Sequence, residues 1–85
     1  MKVKLLYFAA LREQLGTAGE EIELPAGVGT LAALRSHLRA RGGAWQLALA
    51  DGKLIRVAVN QDMAQPSDAL KAGDEVAFFP PVTGG

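Results

Sequence analysis

The sequence predicts an α+β fold in which one main helix packs on a mixed sheet of four to five strands. Short segments of alternating polar and apolar residues recur along the 85-residue chain, and one longer segment has apolar residues at helical spacing. Glycine or proline separates most of these segments. A single helix on one face of one sheet is the arrangement that buries the apolar side of both elements.

The N-terminal part predicts a strand, a short helix and a second strand. Residues 2–9 alternate lysines with apolar side chains, which is typical of a strand with one solvated face. Residues 10–15 are good helix formers, and Gly16 is suited to end a helix. Residues 20–24 alternate acidic and aliphatic side chains and predict a half-buried strand. We expect the two strands to direct these side chains to the core: Val3, Leu5, Tyr7, Ile22 and Leu24.

The principal helix is predicted over residues 30–41. Thr30 is a favourable N-cap residue, and Leu31, Leu34 and Leu38 follow it at the spacing of one helix face. Arginines collect toward the C-terminal end, where the helix dipole favours positive charge. A glycine pair then ends the helix.

The C-terminal part predicts three further strands. Residues 44–50 are apolar and are compatible with a helical turn or with an irregular cover for the core. Residues 54–60 form the strongest predicted strand, residues 61–64 a short return strand, and residues 75–79 the last strand. We expect these strands to contribute a further set of core side chains: Ile55, Val57, Val59, Val76 and Phe78.

This order of elements around one main helix is the β-grasp, or ubiquitin-like, arrangement. We expect residues 1–79 to form the domain and residues 80–85 to form an extended C-terminal tail. Pro80 and Pro81 cannot donate hydrogen bonds to a sheet, and their fixed φ favours an extended exit from the last strand. We expect the final Gly-Gly, which has no side chains, to be flexible and to leave the terminal carboxylate unobstructed.

Composition excludes several classes of function. Nine basic and nine acidic residues balance, so the chain lacks the basic surface of a nucleic-acid binder or a polybasic membrane anchor. The absence of cysteine excludes disulfides and thiol catalysis, and a single histidine excludes a histidine zinc cluster. No apolar run approaches the ~20 residues of a membrane span, and the N-terminus lacks the order of a signal peptide. We therefore expect a cytoplasmic protein with neither nucleic-acid nor membrane partners.

Several local patterns imitate functional motifs. Glycines in residues 27–32 have part of the spacing of a dinucleotide fingerprint, but the chain is too short for the two halves of such a site. His37 has no acidic neighbour at helical spacing, which favours a solvated histidine over a catalytic one. A solvated strand edge explains the acidic residues of segment 20–24, and Trp45 is explained as an apolar cap on the core. We therefore predict no cofactor or metal bound by this chain.

Two features favour a binding role. Strand parity places Phe8 and Phe79 on the outer face of the sheet. They either contact a partner or lie under a loop, and the residues alone leave both interpretations open. The second feature is the Gly84-Gly85 terminus at the end of a tail whose six residues reach roughly 20 Å when extended.

A longer pattern covers the whole chain, and its most specific part is the closing sequence GDEVAFFPPVTGG of residues 73–85. With this pattern the chain resembles the family of molybdopterin synthase small subunits. The members of this family are β-grasp sulfur carriers. Only residues 14–28 match loosely. The other segments that carry the resemblance are Leu6–Ala9, Arg12-Glu13, Gly16, Thr30–Leu38, Trp45–Leu49, Asp51–Leu54 and Val59–Gln61.

The resemblance implies a sulfur carrier without catalytic side chains of its own. A separate ATP-dependent enzyme would adenylate Gly85, and a sulfur donor protein would displace AMP to leave a C-terminal thiocarboxylate. The large synthase subunit would receive the tail, and the sulfur would pass to cyclic pyranopterin monophosphate to form the dithiolene of molybdopterin. Gly84 and Gly85 would be the reactive terminus, and the partner contacts would include Phe8, Arg12, Met63, Phe79, Pro80, Pro81, Val82 and Thr83.

Three alternative functions remain open at this point. A sulfur carrier for thiamin thiazole synthesis or for tRNA thiolation would have the same body and tail. A ubiquitin-like modifier would join its terminus to lysines of other proteins. A binding module would use only its surface, and its function would survive deletion of Gly85.

Overall fold

A computed structural model describes residues 1–81 of the chain. The strands in this part form one mixed sheet in the order β2-β1-β5-β3-β4. β1 and β5 pair in parallel at its centre, and the other neighbouring strands are antiparallel. This topology confirms the predicted β-grasp fold. The elements are β1 (Lys2–Tyr7), α1 (Ala9–Leu15), β2 (Gly19–Glu23), α2 (Leu31–Arg39), α3 (Gly43–Ala48), β3 (Arg56–Val59), β4 (Asp62–Met63) and β5 (Glu75–Phe79).

The principal helix α2 begins as the sequence predicts. Thr30 is extended, and its Oγ1 accepts a hydrogen bond of 3.2 Å from the backbone N–H of Ala33. The stripe of Leu31, Leu34 and Leu38 is buried. The regular helix ends at Arg39, two residues before the predicted end.

The apolar segment that the sequence leaves ambiguous is a helix, α3. It follows Gly42, whose φ of 77° few other residues adopt, and it buries Ala48 together with Leu49. α3 packs on α1 and α2, so the core is covered by one main helix and two short ones.

The predicted core is confirmed as one cluster between the helices and the sheet. Four of its members, Ile22, Ile55, Val57 and Val59, are only partly buried because they lie toward the margins of the sheet. Three buried leucines were not predicted, because α1 is too short to show a helical period and the other two lie outside regular elements: Leu11, Leu49 and Leu70.

The predicted first strand ends earlier than expected. Phe8 is the N-cap residue of α1, and Ala9 takes a φ of 54° as the chain turns out of the sheet. The strand predicted over residues 54–60 is also shorter, and Leu54 lies outside it with 81% of its surface exposed. Among residues 1–81, no helix is long and apolar enough to span a membrane.

Candidate partner-binding surface

The structure describes only the first two residues of the predicted tail, Pro80 and Pro81. β5, the central strand, leads into Pro80 and Pro81, which are both partly buried. Four predicted site residues, Val82, Thr83, Gly84 and Gly85, lie outside the described residues. The surface next to the root of the tail is therefore the part of the predicted site that the structure places.

Four residues form a row across the sheet on the side away from the helices. Leu6 pairs with Ala77, Ala77 pairs with Ala58, and Ala58 pairs with Met63. The two alanines are small, so the middle of the row is flat, and Ala58 is buried among its larger neighbours. We refer to this row together with Phe8 and Phe79 as the outer face.

Two side chains of the outer face are strongly exposed. Phe8 exposes 47% of its surface and Met63 exposes 57%. The backbone holds both in place: the N–H of Phe8 donates a hydrogen bond of 3.1 Å to the carbonyl of Phe78, and Met63 lies in the edge strand β4. Arg12, on α1, is also exposed. The structure thus places Phe8 at the surface, where no loop of residues 1–81 covers it.

Phe79 does not match the expected strong exposure. The structure shows it partly buried, because β5 has a neighbouring strand on each side and Arg56 lies directly opposite Phe79 on β3. Its position on the outer face agrees with the predicted parity. Phe79 therefore lies at the margin of the outer face and is partly covered, whereas Phe8 and Met63 are the strongly exposed side chains of that face.

The polar end of the sheet lies at the start of β5. Lys4 pairs across the sheet with Glu21 on one side and Glu75 on the other, and its Nζ is 4.0 Å from a carboxylate oxygen of Glu75. The aromatic residues lie at the opposite end, where β5 leads into the tail. The apolar part of the outer face therefore adjoins the root of the tail.

On the helix side of the sheet, a polar network supports the end at which β5 leads into the tail. The hydroxyl of Tyr7 donates a hydrogen bond to Glu20, and Arg41 donates two hydrogen bonds of 2.9 Å to the same carboxylate. The Arg41 guanidinium also lies 4.4 Å from the ring centroid of Trp45. Tyr7 packs edge-on against Trp45 and stacks on Phe78, so the network reaches the residues adjacent to Phe8 and Phe79.

The network changes the acidity of its members. Burial, with a further contribution from the charge of Glu20, raises the pKa of the Tyr7 hydroxyl. The hydrogen bonds from Arg41 hold the pKa of the Glu20 carboxyl below its usual value. Glu20 lies on the edge strand β2 but is only partly exposed, contrary to the prediction of a solvated carboxylate, because its partner Arg41 lies in the turn after α2, 21 residues along the chain. The prediction of Trp45 as an apolar cap agrees with its partial burial against the core.

A second network fixes the start of β5. Buried Asp74 accepts hydrogen bonds from the Asn60 side chain at 3.0 Å and from the Lys71 backbone at 2.8 Å. Asn60 and Gln61 have φ of 50° and 73°, which makes the tight turn between β3 and β4. This turn places Met63 beside Ala58 on the outer face.

Two other features singled out in the sequence are the glycines before α2 and His37. The loop before α2 carries Gly27, at φ 95°, and Gly29, whose carbonyl accepts a hydrogen bond of 2.9 Å from Leu70. His37 is partly buried on α2. Within residues 1–81, no cluster of three histidine, cysteine or acidic side chains is placed to hold a metal ion.

The β-grasp domain and its outer face define a small protein of the ubiquitin-like class. The ThiS family matches residues 5–85, and the chain belongs to that family. Over 83 residues it is 51% identical to the molybdopterin synthase sulfur carrier subunit of Escherichia coli (strain K12), which covers 98% of this chain and 99% of that protein. The resemblance inferred from the sequence motifs is thereby confirmed.

Solved structures agree with the fold. The crystal structure of SAMP1 from Haloferax volcanii matches with a TM-score of 0.80 at 31% identity, over the full length of both chains. A complex of subunits 1 and 2 of the molybdopterin-converting factor from Helicobacter pylori contains a chain that matches with a TM-score of 0.69 at 23% identity, again over both full lengths. At that identity the second match supports the fold alone.

Proposed function

We propose that this chain is the sulfur carrier subunit of a molybdopterin synthase and that Gly85 carries the sulfur as a thiocarboxylate. The observation that supports this most strongly is the 51% identity to the Escherichia coli sulfur carrier subunit over 83 residues, together with the closing sequence FFPPVTGG. The chain itself contributes a folded body, a docking surface and an acyl terminus. It binds no cofactor in this proposal and acts in the cytoplasm.

The chemistry of the terminus requires an activating enzyme. A terminal carboxylate has a pKa near ~3.5, so it is ionised at neutral pH and is a poor acyl electrophile. A partner enzyme would let this carboxylate attack the α-phosphorus of ATP, which releases pyrophosphate and leaves a glycyl adenylate. Hydrosulfide delivered by a donor protein then attacks the acyl carbon: the C–S bond forms, the bond to AMP breaks, and loss of the S–H proton leaves the thiocarboxylate. This chain has no cysteine, so its terminus is its only place for the transferred sulfur.

The outer face is the proposed docking surface for the large synthase subunit. The relative at 51% identity is named as a subunit of molybdopterin synthase, which supports a partnership of this kind. Phe8 and Met63 are exposed and apolar, and Phe8 is hydrogen-bonded to Phe78 near the root of the tail, so docking there directs the tail toward the partner. The sulfur of the thiocarboxylate would then be transferred to cyclic pyranopterin monophosphate. Each dithiolene contains two sulfur atoms, so two thiocarboxylated carriers would be consumed for each product.

Intact mass of the protein purified from cells tests the proposed chemical state. We expect a fraction of the chain in which one oxygen has been replaced by sulfur. This fraction should disappear from cells that lack the adenylating enzyme and from a variant without Gly85. A mass that stays at the carboxylate value in cells that are actively making molybdopterin would contradict the proposal.

Protein modification is a second candidate, favoured by the 31% identity to SAMP1, whose name in a second Haloferax volcanii structure is small archaeal modifier protein 1. A modifier forms an isopeptide bond between Gly85 and a lysine of a target. Digested cell extracts would then contain target lysines that carry residues from the end of this tail. Such adducts, lost on deletion of Gly85, would favour the modifier role.

A further inference from the structure

The edge of β3 that faces away from β5 is only partly covered. β4 pairs only with Ala58 and Val59, and the last contact along this edge is a hydrogen bond of 3.0 Å from Ala64 N–H to the carbonyl of Val57. The chain then leaves the edge through Gln65 and Pro66. β4 and Ala64 together therefore cover this edge as far as the carbonyl of Val57, and the edge before Val57 is open.

The alternation of the ladder shows which backbone groups are left. The backbone N–H of Asn60 donates a hydrogen bond to the carbonyl of Glu75 on β5. In an antiparallel ladder every second residue does the same, so the backbone N–H groups of Ala58 and Arg56 also point toward β5. The N–H groups of Ile55 and Val57 point the other way, and neither has a hydrogen-bond partner in residues 1–81. An open edge of this kind is a template for pairing with another strand.

This open edge faces a cleft rather than a flat surface. The cleft lies between β3 and α2 and has a volume of about 580 Å³. A partner segment that matched the four residues of β3 in extended conformation would be roughly 13 Å long. The apolar residues that line the cleft are Leu31, Ala32, Ile55, Val57, Ala64 and Pro66.

The charges of the cleft are unbalanced. Arg35 donates its hydrogen bonds to three backbone carbonyls, of Leu49, Ala50 and Lys53, so no carboxylate is hydrogen-bonded to it. Asp51 lines the cleft but is paired with Arg39. Arg56 is exposed and forms no ion pair with any residue from 1 to 81. The cleft is therefore cationic and favours an anionic group beside its apolar floor.

We propose that this cleft binds an extended acidic-apolar segment of a partner protein by strand addition to β3. The segment accepts hydrogen bonds from the N–H groups of Ile55 and Val57, which requires Ala64 to release the Val57 carbonyl. It places apolar side chains against α2 and a carboxylate beside Arg56. Met63 borders both the cleft and the outer face, so the two surfaces are continuous. A partner docked on the outer face has its second contact here.

A peptide titration of the full-length chain tests the geometry. The probe is the synthetic peptide Val-Asp-Val-Thr-Val, acetylated and amidated, and the readout is the amide ¹⁵N–¹H spectrum. We expect saturable shifts at Ile55 and Val57, with their amide protons moving downfield as they gain hydrogen bonds. Absence of saturable shifts up to about 5 mM peptide, or shifts confined to Phe8 and Phe79, would overturn the proposal.

A charge exchange tests the recognition. Arg56→Glu should weaken the peptide about tenfold, which corresponds to ~1.4 kcal/mol, and Val-Lys-Val-Thr-Val should recover that affinity on the same variant. Lys71→Glu is the matched control, because Lys71 is exposed and is not part of the cleft. It should leave affinity within about twofold of the original chain.

Two results of the charge exchange, and one from a control titration with acetate, would overturn the proposal. An equal loss with Lys71→Glu would mean that overall charge, and not Arg56, governs binding. A failure of the lysine peptide to recover affinity would exclude a carboxylate beside Arg56. Acetate alone producing the same shifts as the peptide would identify a small-anion site instead.

Discussion

The hydroxyl of Tyr7 donates a hydrogen bond of 3.0 Å to a carboxylate oxygen of Glu20. Through this contact, and through the two hydrogen bonds from Arg41, the turn after α2 is joined to two adjacent strands. Tyr7 is almost completely buried and stacks on Phe78, which belongs to the strand that leads into the tail. The network therefore holds the part of the sheet next to the proposed docking surface.

The first prediction concerns the pH dependence of stability. The pKa of Glu20 is lowered in the folded state, so its contribution is fully present above its unfolded value of ~4.3 and is lost as pH falls through the folded pKa. We expect Glu20→Gln to lower the free energy of unfolding at neutral pH by about 1–2 kcal/mol. The decline of stability below about pH 4.5 should become less steep.

Urea denaturation between neutral and acidic pH measures this effect. Glu21→Gln is the matched control, since Glu21 is the exposed neighbour of Glu20 on the same strand. If the free energies of unfolding of the two variants change with pH in parallel, the hydrogen bonds of Glu20 have no special role in acid sensitivity.

The second prediction concerns the core. Leu34 is completely buried on α2, so Leu34→Ala should lower the free energy of unfolding by about 2–4 kcal/mol. Val57 is only half-buried, and Val57→Ala should cost less. Leu54→Ala is the control, because 81% of Leu54 is exposed, and its effect should be within about 0.5 kcal/mol. Equal losses for Leu34→Ala and Leu54→Ala in chemical denaturation would be incompatible with this core.

The third prediction concerns docking. Phe8→Asp should weaken binding to the large synthase subunit by at least about tenfold while the fold persists, because Phe8 is exposed and contributes little to the core. Leu47→Asp is matched to it, since Leu47 is also exposed but lies on α3, on the helix side of the sheet. Calorimetric titration measures the affinity, and circular dichroism checks the fold. Unchanged affinity for Phe8→Asp would remove the outer face as the docking surface.

Phe79→Asp is expected to combine two effects. Phe79 is partly buried in the central strand, so a charge there should lower stability as well as affinity. The comparison with Phe8→Asp separates the two contributions. Loss of the folded spectrum for Phe79→Asp alone would identify Phe79 as a core residue.

The fold was largely predictable because its signals are local. The N-cap Thr30, the leucine stripe of α2 and the alternation in β5 each follow from neighbouring residues, and the structure confirms them. The helix α3 was ambiguous because its six residues are too few to distinguish a helical period from an apolar run.

The parts of the site that escaped prediction depend on distant residues. Glu20 was taken as solvated because nothing near it in the sequence indicates Arg41, and the exposure of Phe79 was overestimated because strand order sets its cover. Parity alone gave the correct face for Phe8 and Phe79. The open edge of β3 could not be foreseen, because it depends on how few residues β4 pairs with.

Single-turnover sulfur transfer by carriers that have been thiocarboxylated chemically tests whether Gly85 carries the sulfur. The large subunit and the pterin precursor are supplied, molybdopterin is measured, and binding is measured in parallel. We expect deletion of Gly85, or one residue added after it, to abolish transfer while docking persists. A displacement of about 1 Å at a reacting centre costs on the order of a hundredfold in rate. Gly84→Ala should be impaired less. Normal turnover by the extended carrier, with the added residue still present by mass, would contradict a mechanism in which Gly85 carries the sulfur.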